Sequence, residues 1–430
     1  MGTEITLQVG PVTLDWSKNS RGGNHGILFQ EKDRTQVPAP EYDNELLASD
    51  DGGVYALALV RPLSSTVPRL EILGFTLRAA QDEYDAVAAE WLSYQDDIAA
   101  AEGFERPRAL SFAEFVQFLA RHPINELDDN YINDFHAERY QTIQKRFSSD
   151  PAFGRIPTCT SLDGFSEAEI FGSILGGLHP YSAMRILASV PANSSVNICW
   201  HYGPVVDSGW VTEDEFAAGA QRQQKFLVVT EGSSDIHILS HAISLMMPEI
   251  SDFFTFIDVS ERHPFSGTGS LVKFAEGLVK IDVQNRVLFL FDNDAEGWAA
   301  LDEVVKYVLP PNMRAMALPE LEEFRKFDAY GPQGVAASDI NKRAAAIECY
   351  LDLRLEGKPP ARVVWTNYKE KRDVYQGSLE FKESYAKAFL AQTFASISSG
   401  TYDVSKLRLV LDRIVKECTE IAGIDARNSY

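Results

Sequence analysis

Three carboxylates at the ends of two apolar runs are the side chains best suited to chemistry. Glu231 closes the segment Lys225-Phe-Leu-Val-Val-Thr-Glu231-Gly-Ser-Ser-Asp235, and Asp292 and Asp294 close Arg286-Val-Leu-Phe-Leu-Phe-Asp292-Asn-Asp294-Ala-Glu296-Gly297. Continuous apolar runs of this length, bounded by turn residues, predict strands buried on both faces. Acids at their ends then lie at the carboxyl edge of an open α/β sheet, where such folds bind ligands. Residues two apart in extended backbone share a face, about 6.5–7 Å apart along the strand, so Asp292 and Asp294 can share or flank a metal. Three acids gathered there repel one another unless a cation sits among them. Oxygen ligands without His or Cys favour Mg²⁺ or Mn²⁺ over zinc. Glu231 reads as a third ligand or a general base. Asp235 reads as a helix cap or as a residue that orients a ligand. Gly232 and Gly297 are expected to let the backbone turn sharply. A single D-x-D is common in ordinary structure; both segments together, each after an apolar strand and each opening a helix, are far more specific.

Several elements must position these residues. From Lys225 the pattern predicts strand 225–230, helix 234–247, strand 253–259, a glycine turn at Gly267-Thr-Gly269, helix 270–280, strand 286–291, helix 297–308 and strand 313–318. This alternation implies a parallel sheet covered on both faces. Helices are expected to begin near Ala344, near Phe381 and after Ser405. Before residue 212 the reading is α+β. Ile5–Gly10, Val12–Trp16, Gly26–Phe29 and Ser195–Trp200 read as strands, Val54–Val60 and Leu70–Phe75 as core strands or a short helix, and Leu77–Ser173 as mainly helical. Ser111-Phe-Ala-Glu114 reads as a capping box. The expected domains are 1–212, a polar linker 213–224, 225–345 and a helical portion 346–430. His237 and His241 share a helix face, which reads as packing before it reads as a metal site.

Taken together, the two acidic segments resemble the Toprim domain of topoisomerases, bacterial primases, recombination-repair proteins and the overcoming-lysogenization-defect nucleases. The family pattern, Glu after the first strand and D-x-D after the third, falls on Glu231 and on Asp292 with Asp294. The resemblance covers about residues 225–345. It implies a Rossmann-like parallel sheet, Mg²⁺ (or Mn²⁺) dependence, and cleavage or joining of phosphodiesters. Gly331-Pro-Gln-Gly and Ser338-Asp-Ile-Asn341-Lys-Arg-Ala-Ala-Ala-Ile-Glu348 resemble the nuclease branch, where an acid on a helix after the sheet completes a second metal site. Glu348 is the candidate, with Asp339 next; a solvated helix acid is the alternative for each. Lys382 is the candidate for a lysine aimed at the scissile phosphate, in competition with Lys369, Lys371 and Arg372. Leu14-Asp-Trp-Ser-Lys-Asn19 and Leu28-Phe-Gln-Glu-Lys-Asp-Arg34 resemble the module that precedes HEPN or Toprim domains in bacterial conflict systems, which implies phage defence.

Composition narrows the classes. The chain has 430 residues, room for two or three domains, and its 24% charged share is ordinary for a globular protein. Cys159, Cys199, Cys349 and Cys418 are far apart with no C-x-x-C pair, which excludes a standard zinc module and predicts reduced thiols. That argues against a primase or a recombination mediator, and no topoisomerase tyrosine is identifiable. No run approaches the roughly 18–20 apolar residues of a membrane span, and no secretory signal is visible, so a cytoplasmic protein is expected. The net charge of −22 argues against diffuse nucleic-acid binding. From Lys342 onward, 15 Lys and Arg face 12 Asp and Glu, a net of +3, so the remainder carries −25 and any nucleic-acid surface belongs near the C-terminal third. The leading expectation is a metal-dependent nuclease, with DNA favoured over RNA, acting with copies of itself or a partner protein of the same defence system. The alternative is a regulatory module that binds a nucleotide or nucleic acid while a partner supplies cleavage.

Overall fold

The computed structural model describes residues 3–18, 20–38, 55–103, 105, 107–130, 132, 137–159, 164–258 and 268–428. Gly267 of the expected glycine turn lies outside the described residues. The chain divides into two units, Met1–Ala220 and Gln221–Tyr430. The fold is mixed α/β, and no helix among the described residues is long and apolar enough to cross a membrane. Cys199, Cys349 and Cys418 are free thiols.

In the first unit β1 (Glu4–Val9), β2 (Val12–Lys18), β3 (Arg34–Pro38), β4 (Tyr55–Pro62) and β5 (Asn197–His201) form one antiparallel sheet in the order β2-β1-β5-β4-β3. The helices are α1 (Leu63–Ile72), α2 (Leu77–Glu102), α3 (Phe112–Arg121), α4 (Ala137–Ser148), α5 (Glu167–Leu175), α6 (Pro180–Leu187) and α7 (Gly203–Asp207). The capping box forms as expected: the Ser111 hydroxyl accepts from the Glu114 N–H, and the Glu114 carboxylate accepts from the Ser111 N–H. It starts a helix whose Phe115, Phe118 and Leu119 are buried.

Two readings are corrected. Gly26–Phe29 is not a strand; Gly26–Leu28 is a 3₁₀ turn. Its carbonyls are taken by buried side chains instead of a neighbouring strand: Arg69 Nε donates to Ile27 O at 2.7 Å and Arg61 Nη1 to Leu28 O at 3.0 Å. Segment 213–219 is not a free linker. Phe216 is fully buried and stacks on Tyr202 at 4.5 Å, and Ala218 N–H donates to Glu31. An aromatic within a polar run anchored it to the core.

His179 gives this unit a pH dependence. Burial first, then the nearby charge of His25, lowers its pKa from 6.5 to about 4. Its stability contribution is therefore intact above the unfolded value and is lost as pH falls from 6.5 toward 4. His179→Gln should flatten the urea-denaturation midpoint across that window while the wild type declines.

In the second unit β6 (Phe226–Thr230), β7 (Phe254–Asp258), β8 (Arg286–Phe291) and, after the two-residue β9 (Asn293–Asp294), β10 (Met313–Ala317) form an all-parallel sheet apart from β9, ordered β10-β8-β6-β7. Period-two alternation serves both faces. Val229, Val287, Phe289 and Phe291 pack with α9 (Thr268–Lys280) and α10 (Ala295–Val304), reached after α8 (Ser233–Met246) in the chain. Val228, Leu288 and Leu290 are buried on the opposite side. The final helix α13 (Ser405–Asn428) also packs on β8 and β10, and α8 packs on β7.

The helix expected near Ala344 is replaced by β13 (Ala344–Ala345) and a 3₁₀ turn, Ile347–Tyr350, which follow the hairpin of β11 (Phe327–Gly331) and β12 (Gly334–Ser338). After residue 346 the chain is not purely helical. β14 (Val363–Lys369) and β15 (Val374–Leu379) form a second hairpin before α11 (Lys382–Leu390), α12 (Phe394–Ser398) and α13. Ala344 and Ala345 are spent on pairing with Asp294 and Asn293, so the helix-favouring alanines were overruled by a tertiary contact. His241 packs against Phe389, and its Nε2 lies 3.1 Å from Gln392 O.

Candidate metal centre

Glu231 follows the end of β6 and Asp292 follows the end of β8, which are adjacent parallel strands in register at Val229 and Phe289. The sheet therefore delivers both acids to one carboxyl edge. β9 then pairs with β13, which brings Glu348 to the same edge from 56 residues further on. Glu348 is buried, accepts from Ser234 Oγ of α8 at 2.8 Å, and lies on a turn rather than a helix. The Ile347 N–H donates to Asp292 Oδ1 at 3.2 Å.

Electrostatics records how close these groups are. Burial, then the charges of Asp294 and Asp235, push the Glu231 carboxyl up to about 8. Burial holds Asp292 far above the usual carboxylate range, and Asp235, Asp294, Glu231 and Glu348 add to it in that order. Asp294 is raised by burial too, against hydrogen bonds from Gly297 and Gln376 that lower it. Among the described residues Glu231, Asp292, Asp294 and Glu348 form no salt bridge. Glu231 Oε1 is buried without a hydrogen-bond partner. An orphaned carboxylate oxygen among like charges has the donor chemistry of a hard divalent cation site.

The ligand set is not closed, however. Among the described residues no group of three or more His, Cys, Asp or Glu side chains is arranged to hold a metal ion. Asp294 Oδ1 accepts the Gly297 N–H at 2.7 Å and so caps α10, while Oδ2 accepts Gln376 Nε2 at 2.5 Å. Asp235 Oδ2 accepts the Gly232 N–H at 3.3 Å. Asp339 is exposed and accepts from both the N–H and Nδ2 of Asn341, each at 3.0 Å. Lys382 is exposed in the first turn of α11 and makes no ion pair among the described residues. Lys369 and Arg372 instead pair with Glu296 and Asp302 on α10, beside the D-x-D.

Gly297 is needed for closeness, not for a turn. A Cβ there would lie 2.3 Å from Asp292 O, whereas at Gly232 the nearest atom is 4.0 Å away. Gly297→Ala should therefore destabilise the chain by about 1–3 kcal/mol in urea denaturation, because the clash is with backbone that cannot rotate aside. Gly232→Ala should change it little.

The HEPN/Toprim N-terminal domain 1 family matches residues 1–224, more than half of the chain. The chain belongs to this family. No curated protein and no solved structure matches it. The HEPN/Toprim N-terminal match ends before Glu231, so every acid of the candidate metal centre lies beyond it.

Two organising residues of this HEPN/Toprim-associated chain escaped the sequence reading. Asn293 is fully buried between the two aspartates. Its Nδ2 donates to Asn341 Oδ1 and Tyr350 OH, and its Oδ1 accepts from Trp298 Nε1 and the Lys342 N–H. The signal was there, an amide inside the D-x-D itself. Gln376 holds Asp294 with its amide nitrogen and takes the Ala295 and Glu296 N–H groups on its oxygen. Nothing in the sequence marks a residue that distant.

Proposed function

We propose that this chain is a metal-dependent nuclease that hydrolyses phosphodiester bonds of nucleic acid, DNA in preference to RNA, in phage defence. The observation that carries the reading is the convergence of Glu231, Asp292, Asp294 and Glu348 on one sheet edge, with Glu231 Oε1 buried and unpartnered. The acids after β6 and β8 also follow the Toprim pattern of a Glu and a D-x-D. Glu231, Asp292 and Asp294 would hold Mg²⁺ or Mn²⁺, with Glu348 and Asp235 supporting them. A bound ion would polarise the scissile phosphate and lower the pKa of attacking water. Glu231 Oε1, buried and unpartnered among the described residues, is the oxygen left to meet an ion. Gln376 and the Gly297 N–H fix the orientation of Asp294, and Ile347 that of Asp292. Burial of Asp292 excludes water from one side of the site.

The test is cleavage of plasmid DNA and of tRNA with Mg²⁺ or Mn²⁺ by the wild type and Asp292→Asn. The expected result is nicking by the wild type and a loss of at least about 100-fold in the variant, as when a group stabilising transition-state charge is removed. Equal cleavage by both proteins, or none with either metal, removes the proposal. One observation favours the second reading, a regulatory module that binds nucleotide or nucleic acid while a partner cuts. Both Asp294 oxygens are already engaged and the ligand set is open. Metal-dependent nucleic-acid binding without turnover would select it.

A further inference from the structure

The first unit contains an open cleft of about 600 Å³, lined by Arg121, His122, Arg146, Ser149, Asp150 and Arg155 among others. His122 is only 8% exposed, with its ring against Phe118 at 4.8 Å and Phe147 at 5.2 Å. Its Nε2 is buried and makes no hydrogen bond among the described residues; Asp150 Oδ2, at 3.8 Å, is near enough for an ion pair but too far for a hydrogen bond. A buried polar nitrogen without a partner is a cost that a structure rarely tolerates without a ligand or function.

The three arginines are held but not exhausted. Arg146 Nη1 donates to Glu126 O and Glu167 Oε2, Arg155 donates to Arg108 O and Glu114 Oε1, and Arg121 reaches Asp150 through Nε and Nη2. A guanidinium has five N–H donors, so each retains donors beyond these bonds. Two of the three are fixed by backbone carbonyls, which orders them before a ligand arrives. Rigid arginine forks match the oxygens of phosphate. Burial first, then the charge of Arg146, holds His122 below its usual pKa against the opposing charge of Asp150, and an anion would add an acceptor within hydrogen-bond reach of Nε2. The volume lies within the range of small-molecule sites and far exceeds a bare phosphate.

We infer that this cleft binds the phosphate groups of a nucleotide, with Arg121, Arg146, Arg155 and His122 Nε2 as the donors. Titration calorimetry on the full chain in EDTA, which removes metal-bridged binding at the acidic cluster, tests it with ATP, GTP, AMP, inorganic phosphate and a 5′-phosphorylated oligonucleotide. The expected result is saturable nucleotide binding, weakened at least about tenfold by His122→Leu and by Arg146→Gln. His122→Leu should stay near the wild-type melting temperature, because the Nε2 it removes makes no hydrogen bond among the described residues and leucine keeps an apolar contact with Phe118 and Phe147. Arg78→Ala, at an exposed position, should bind as the wild type does. Any of three results overturns the inference: no nucleotide binding at millimolar concentration, binding unchanged in both variants, or an oligonucleotide that binds and is not displaced by nucleotide. Inorganic phosphate binding as tightly as ATP would overturn the assignment to a nucleotide. Equal cleavage by the wild type and Asp292→Asn, or none by either, leaves each of these readouts intact.

Discussion

Glu231→Gln should make the protein more stable while abolishing its response to divalent metal. The Glu231 carboxyl is pushed from 4.5 to about 8, so the folded state holds a proton that the unfolded chain gives up. Stability from this group is complete below about pH 4.5 and is lost as pH rises through 8, with most of the cost in place at neutral pH. At 1.36 kcal/mol per pKa unit the cost is about 3 kcal/mol near pH 7, and an isosteric amide removes it. The expected observation is a higher melting temperature for Glu231→Gln than for the wild type at pH 7 to 8 and convergence of the two near pH 4. Millimolar Mg²⁺ or Mn²⁺ should raise the wild-type melting temperature by mass action and leave the variant unmoved. A wild type whose melting temperature ignores both metals would sink the metal centre without any activity measurement.

Asn293→Ala should produce the largest loss of stability of any single change at this edge. Its side chain links β9 to Asn341, Tyr350, Trp298 and the Lys342 N–H. Truncation takes the acceptor from Trp298 Nε1 and the Lys342 N–H, each at a cost of about 1–3 kcal/mol with incomplete additivity, while Asn341 Oδ1 keeps the Leu321 N–H and Tyr350 OH keeps Pro319 O. A loss of about 3–5 kcal/mol is expected in urea denaturation. Asn293→Asp should lose less of the fold but also fail in metal binding, since it adds a third charge between Asp292 and Asp294. If Asn293→Ala unfolds at the wild-type midpoint, the network is not what holds the two aspartates in position.

The second prediction shows why the outer layer of the site was harder to foresee than its acids. Glu231, Asp292 and Asp294 stand where short-range patterns change, from an apolar run to a carboxylate followed by a helix, and that signal is local. Glu348 was named from resemblance, on a helix that does not exist. Its burial follows from the pairing of Ala344 with Asp294, a contact fifty residues long in the chain. Gln376 and Ser234 touch the acids through equally distant contacts, and neither residue type is unusual in its own segment. Lys382 is a candidate from the nuclease resemblance, whereas the fold carries its competitors Lys369 and Arg372 to α10 on the arm of the β14–β15 hairpin.

By itself the order of residues determined the parallel sheet, the alternation of its two buried faces, the capping box at Ser111 and the location of three acids at strand ends. These depend on periodicity and on neighbours within one or two turns, which any stretch of chain carries with it. Only the tertiary structure decided that Gly26–Leu28 turns instead of extending, that Phe216 ties down a polar segment, and that Ala344 pairs with the D-x-D. Each of those outcomes hangs on a buried partner brought from elsewhere in the chain, and burial, which sets the strength of every hydrogen bond and charge at the site, exists only once the chain has closed on itself.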